Sequence, residues 1–384
     1  MSVTAAQGFR AAGVTAGLKT SGASDLAVVV NDGPSSAAAA VFTSNRCKAN
    51  PVLWSEEAIK AGSARAVVLN SGGANCYTGT EGFVVTHRTA ERVAEQLGIG
   101  AVDVQVCSTG LIGLPLPLDK LVSGVDAAVA DLSADGGEAA ATAIMTTDTV
   151  SKQAHVAHPD GWTVGGMAKG AGMLAPALAT MLVVITTDAD LPSHQLDAAL
   201  RLATAQSFDR LDSDGCQSTN DTVLLMASGA SGVSPAVEEL AEVLTQVCRD
   251  LALQLLADAE GADHEISIEV RGAASEADAL EVGRSVARSN LFKAAIFGKD
   301  PNWGRVLASV GTTEAAFDPA DLDVALNGVW VCRNSGVGES VDGIDLSPRD
   351  VTVTIDLKSG EHAATIWTND LTHAYVHENS AYSS

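Results

Sequence analysis

The chain has 384 residues, 46% of them hydrophobic and 18% charged, and its 47 acidic against 23 basic side chains give a formal net charge of −24. That length supports a large core and suggests two lobes, and the apolar content is that of a globular chain, not a disordered one. The acidic excess argues against nucleic acid, whose phosphates it would repel, and the longest apolar run, near Met181–Ile185, falls far short of the ~20 residues that cross a bilayer.

The opening of the chain alternates short apolar runs, Leu26–Val30 and Ala37–Phe42, with Gly and Ser turns, which predicts hairpins. It has no basic region followed by an apolar run, so no signal peptide is expected. Ala66–Leu69 reads as a strand running into the polar turn Asn70-Ser-Gly-Gly-Ala-Asn75. Thr86–Leu97 has helical spacing and stops at Gly98. Val102–Cys107 reads as a second strand followed by Ser108-Thr109-Gly110. Such a strand-end turn is able to aim a hydroxyl and a backbone N–H at a developing oxyanion. An Ala-rich helix from about Gly137 leads to Met145-Thr146-Thr147-Asp148.

The most informative stretch follows, from Gly165 to Ala189. Gly165, Gly166, Gly170 and Gly172 surround Lys169, and this spacing predicts a shaped loop. Met181–Thr187 is a continuous apolar and β-branched run ending at Asp188, which predicts a central strand buried on both faces. Thr180 stands at the mouth of that strand behind the small residue Ala179, a place that suits a rigidly held nucleophile. The same residues also fit a plain glycine-rich turn feeding a core strand.

Beyond it, Ser193–Gln206 and a long segment capped by Ser234-Pro235 and running to Ala259 read as helices. The second carries Leu240, Val243, Val247, Leu251 and Leu255 as its buried stripe and ends at Glu260-Gly261. Ile266, Ile268 and Val270 mark a half-buried strand, and Ser275–Ala287 is a helix with Ser275 as cap. Gly298–Arg305 is a loop rich in special residues, Val351–Ile355 and Ala364–Trp367 are strands, and His373–Ser384 is a polar, aromatic tail. Six scattered cysteines without a CxxC read as reduced thiols of a cytoplasmic protein. The eight histidines lack ligand spacing, so no metal site is expected.

Eight blocks together resemble the ornithine acetyltransferase family, the glutamate N-acetyltransferases of arginine biosynthesis. They are CSTGLIG (107–113), MTTD (145–148), MAKGAGMLAP (167–176), LATML (178–182), STNDT (218–222), DAEG (258–261), DPNWGR (300–305) and ENSAYSS (378–384), and the similarity runs from Gly8 to the last residue. The resemblance implies self-cleavage between Ala179 and Thr180, giving an α chain (1–179) and a β chain (180–384), two of each in the assembly. It implies Thr180 as nucleophile, Thr109 and Gly110 as oxyanion hole, and Thr146, Lys169, Thr180, Glu260, Asn379 and Ser384 as substrate contacts, with Thr147 held in reserve for Thr146. It also implies an α/β (α+β) layered sandwich of β-sheets between helices, of the N-terminal-nucleophile kind. The activity implied is acetyl transfer from N-acetylornithine to glutamate, with no cofactor and with acetyl-CoA as a further donor. One departure is the Asn70–Asn75 turn, where many members read Asn-Ala-Asn after the glycine, and it is expected not to touch the catalytic groups.

Two other readings of the residues are an N-terminal-nucleophile amidase or aminopeptidase, and a non-catalytic small-ligand binder using its glycine turns as anion nests. The first differs from a transferase only in whether water reaches the acyl intermediate. The second leaves Thr180 without a role.

Overall fold

A computed structural model describes residues 2–173 and 181–381. In the first lobe, Phe9–Val14 and Leu26–Asn31 pair antiparallel, Leu26–Asn31 pairs antiparallel with Ala66–Asn70, and Ala66–Asn70 runs parallel to Val104–Ser108. A second sheet of five strands has the order Ala38–Phe42, Thr222–Ala227, Leu182–Thr187, Thr163–Lys169, Lys152–Ala157.

Side chains on a strand alternate between faces, and here that alternation builds four layers. Val29, Val67 and Leu69 of the first sheet meet Met167, Leu182, Val184 and Leu224 of the second in one core. The other face of the second sheet, with Val183, Ile185, Val223 and Leu225, packs on helices Ser193–Ala205 and Val237–Ala257. The outer face of the first sheet, with Val28, Val68, Val104 and Val106, packs on helices Gly79–Leu97 and Leu118–Ala130. Both sheets are thus covered on both sides, which is why their central strands are apolar without alternation. This is the layered sandwich of sheets between helices that the resemblance implies.

A second lobe follows residue 264. Its six-stranded sheet carries Glu265–Ala273 between Asp350–Asp356 and His362–Asn369. Helices Glu276–Ala287, Asn290–Phe297 and Trp303–Val310 cover it. Ser275 caps the first of these, its Oγ accepting the Asp278 amide at 3.1 Å. The lobes are joined by Arg288 Nε on Asp212 Oδ2 at 2.8 Å and by the Asp212 amide on the Trp367 carbonyl at 2.8 Å.

Several expectations are corrected. Ala38–Phe42 leaves the opening hairpin and crosses to the second sheet. Gly165 and Gly166 lie within a strand, not a loop. A Cβ on Gly165 would fall 2.2 Å from the Ser2 carbonyl oxygen and one on Gly166 3.1 Å from Leu251, so both serve close packing. Ser234 and Pro235 do not cap the long helix, which begins at Val237 and ends at Ala257. The Gly298–Arg305 loop is shorter than expected, because Trp303 already begins a helix. The tail forms the helix His373–Ala381. Three helices had no counterpart in the reading of the sequence, Asn50–Ala58, Leu118–Ala130 and Asn290–Phe297. All six cysteines are free, and among the described residues no helix is long and apolar enough to cross a membrane.

Candidate active site

The site starts where two parallel strands of the first sheet end side by side, at Asn70 and Ser108. The Thr109 amide donates to the Asn70 carbonyl, and the Gly73 amide donates to the Thr109 carbonyl, both at 2.9 Å. Gly110 has φ +129°, and a Cβ there would fall 2.8 Å from the Gly73 nitrogen, so only glycine fits. Asn220 then staples the two turns from the second sheet, its Nδ2 donating to the Ala74 and Ser108 carbonyls at 2.7 Å each. The Asn70–Asn75 turn therefore does touch a proposed catalytic residue, against expectation, because it is the backbone partner of Thr109.

Beside this turn lies a buried charge network. Asp148 Oδ1 accepts from Lys152 Nζ and from the Gly170 amide, both at 2.6 Å, and Oδ2 accepts from the Thr146 amide at 2.9 Å. Lys152 also pairs with Asp258, just past the end of the long helix. Lys169 is fully buried, 3.5 Å from Thr109 Oγ1 and 4.0 Å from Asp148 Oδ2. Burial pushes the Lys169 ammonium below the ordinary lysine range, with the Asp148 charge opposing. Burial alone would raise Asp148, but the Lys169 and Lys152 charges and the Gly170 N–H outweigh it and hold the carboxyl at about 2.

A folded-state value below the ordinary 3.8 means that the Asp148 carboxylate stabilises the fold above that pH. The contribution, about 2 kcal/mol, is lost as pH falls from about 4 to about 2. Urea midpoints measured across that window should drop in the native protein, and Asp148→Asn should flatten that part of the profile. Equal acid sensitivity of the two proteins would rule the network out as its source.

The far wall comes from the end of the long helix and from the tail. The Glu260 amide donates to the Ala171 carbonyl at 2.8 Å. Its carboxylate lies directly against Gly172, where a Cβ would fall 2.5 Å from Oε2. Gly261, at φ +63°, would place a Cβ 2.3 Å from the Tyr375 nitrogen, so the tail helix docks backbone to backbone on this turn. Thr372 secures it, its Oγ1 donating to the Gly261 carbonyl at 2.5 Å and accepting the Tyr375 amide at 2.9 Å. This docking carries Asn379 to the site.

One cavity of about 370 Å³ brings together Thr109, Gly110, Thr146, Thr147, Lys169, Glu260 and Asn379. Residues distant in sequence thus meet at one cavity. Ala179, Thr180 and Ser384 lie outside the described residues. Thr180 is bonded to Met181, whose amide donates to Asp221 Oδ1 at 3.1 Å. Asp221 is fully buried and, among the described residues, its other carboxylate oxygen has no hydrogen-bond partner; burial raises its pKa well above the ordinary range.

Asp148, Lys152, Asn220, Asp221 and Asp258 organise this site and were not singled out in the sequence. The blocks MTTD, STNDT and DAEG contain four of them, which was the available signal. Elsewhere His158, Asp160 and Glu239 offer ligand atoms within 4.8 Å of one another on the surface, a cluster that spacing did not predict.

The sequence model of the ArgJ family matches residues 10–384. The arginine biosynthesis bifunctional protein ArgJ of Streptomyces coelicolor is 64% identical over 384 residues, covering 100% of both chains. Its namesake from Streptomyces avermitilis is 65% identical over 384 residues, again covering 100% of both. A solved structure from Mycobacterium tuberculosis, described as ornithine acetyltransferase complexed with ornithine, is 57% identical with a TM-score of 0.45, covering 47% of this chain and 96% of the other. Matched by its family model over nearly all its length and by full-length relatives above 60% identity, the chain belongs to the ArgJ family and is an acyltransferase of arginine biosynthesis.

Proposed function

We propose that the precursor cuts itself between Ala179 and Thr180, and that Thr180 then carries the acetyl group from N-acetylornithine to glutamate. The observation that carries this reading is the convergence of Thr109, Gly110, Thr146, Lys169, Glu260 and Asn379 on one cavity. Met181, which follows Thr180 in the chain, leads directly into Leu182–Thr187, the strand paired with the one that ends in Lys169.

The chemistry follows from what a threonine lacks. Its hydroxyl is a poor nucleophile without an adjacent base. Cutting before Thr180 frees an α-amine of pKa about 7.7–8.0 on the nucleophile itself, close to a working pH near neutrality. The amine takes the hydroxyl proton as Oγ attacks the acetyl carbonyl. Thr109 and Gly110 hold the oxyanion, the carbon–nitrogen bond breaks, and ornithine leaves with the proton. The amine of glutamate then attacks the acetyl-threonine ester and departs as N-acetylglutamate, returning Thr180 to its free form. Glu260 pairs with the ornithine ammonium, and Asn379 and Ser384 bring the tail over the substrate. The relatives' description as bifunctional supports a second activity, which we assign to acetylation of glutamate from acetyl-CoA through the same Thr180.

One nucleophile serving two amines in turn demands ping-pong kinetics. Varying N-acetylornithine and glutamate should give parallel double-reciprocal lines, with an acetylated Thr180 peptide in the mass spectrum when glutamate is withheld. Intersecting lines without that peptide would establish direct transfer. Free acetate in place of N-acetylglutamate would establish an amidase.

A further inference from the structure

The reaction proposed above sets an electrostatic problem. Ornithine and glutamate share an α-nitrogen and an α-carboxylate, but one side chain ends in an ammonium and the other in a carboxylate. Glu260 suits the first and repels the second, and low local dielectric sharpens that repulsion.

A second cavity, of about 290 Å³, shares Glu260 with the first as a lining residue. It is formed where the lobes meet, by Ser213 and Asp214 of the first and by Arg288, Lys293, Asp370 and Tyr375 of the second. Lys293 is its distinctive group. The side chain is buried, with 6% of the residue exposed. Its ammonium donates to the Ser213 carbonyl and lies 3.5 Å from Thr368 Oγ1. Among the described residues no carboxylate pairs with it directly.

The acids around it are engaged elsewhere. Asp212 holds Arg288 at 2.8 Å, and Asp370 holds the His264 ring at 2.7 Å. Asp214 accepts the Met173 and Cys216 amides at 2.7 and 3.0 Å. Burial lowers the pKa of Lys293, and the charges of Asp214, Asp212 and Asp370 oppose it only in part. A buried cation with neutral partners, facing a cavity, is a group suited to an incoming anion.

We propose that this second cavity receives the γ-carboxylate of glutamate, with Lys293 as its counter-charge and Arg288 beside it. The assignment rests on the acetyl-transfer reading. The two amino acids then use a common end near Thr109 and Lys169, and their side chains diverge at Glu260. Both side chains place their terminal atoms four bonds from Cα, so they differ in direction and not in reach: the ornithine ammonium turns to the Glu260 carboxylate, and the glutamate carboxylate turns away from it toward Lys293. Lys293 is thus a specificity residue for the acceptor and takes no part in moving the acetyl group.

The test compares glutamate with glutamine, which has the same length and a neutral end, as acceptors at saturating N-acetylornithine. Wild-type kcat/KM should favour glutamate by at least roughly 10²-fold. Lys293→Met should shrink that ratio by roughly 10-fold or more, chiefly through KM for glutamate, and Lys293→Arg should restore part of it. A purely structural role would lower both acceptors alike. An unchanged ratio in folded Lys293→Met overturns the proposal, and so does a wild-type enzyme that acetylates glutamine as well as glutamate. The wild-type comparison and Lys293→Arg decide the matter even if Lys293→Met does not fold. A defect confined to KM for acetyl-CoA would assign the anion to the CoA phosphates and also overturn it. Wild-type enzyme that transfers no acetyl from N-acetylornithine would instead refute the function itself, and this control is read first.

Discussion

Thr180→Ala is expected to yield a single 39.1 kDa chain without acetyl transfer, where the native protein is expected to run as two pieces. The proposed function needs the threonine hydroxyl twice. In the precursor it attacks the Ala179 carbonyl in an N-to-O acyl shift, for which the small side chain of Ala179 leaves room. In the cut enzyme it holds the acetyl group between two amines. Removing it abolishes both steps, and loss of a nucleophile typically costs on the order of 10⁶-fold in kcat. Thr180→Ser keeps the hydroxyl and should still cut. N-terminal sequencing of the native β piece should read Thr-Met-Leu, and any other start refutes the assignment. Self-cleavage by the Thr180→Ala protein would do so equally.

The second large effect is expected at Thr109. Its backbone is held by Asn70 and Gly73, and Asn220 staples the turn from the opposite sheet. A hydroxyl fixed in this way costs little reorganisation when charge develops on the carbonyl oxygen. Loss of one such donor costs about 2.7–4 kcal/mol, or roughly 10²–10³-fold in kcat. Thr109→Ala should therefore lower kcat far more than it raises KM, since the bond forms only in the transition state. Near-normal kcat in this variant would place the oxyanion hole elsewhere.

The residues that line the first cavity were legible as motifs, while the interactions that hold them were not. Thr109, Thr146, Lys169, Glu260 and Asn379 each sit in a short block of recognisable type. Nothing local says that Lys152 neutralises both Asp148 and Asp258, because that pairing joins a strand edge to a helix end. Strands such as Leu182–Thr187 were readable from their unbroken apolar runs, since burial on both faces removes alternation. Their sheet was not readable: Ala38–Phe42 finds its partner only in Thr222–Ala227. Gly165 and Gly166 misled because glycine marks a turn and a close packing contact with the same letter. The second cavity was invisible for a related reason, since Lys293 gains its meaning only where the two lobes meet.

The position of the proposed cut has a consequence for how the enzyme can be unmade. It falls between Thr163–Lys169 and Leu182–Thr187, neighbours in one sheet. The β piece's two strands in that sheet, Leu182–Thr187 and Thr222–Ala227, lie between α-piece strands on both sides. Neither piece can depart without tearing a sheet buried on both faces. The precursor folds as one molecule, in a first-order process. Once cut, an unfolded enzyme is two molecules, and its recovery becomes a second-order encounter between partners that each lack half a core. The proposed cut would thereby make assembly directional: what folding achieves once, at no cost in concentration, a cut protein would have to retain by the slowness of its unfolding.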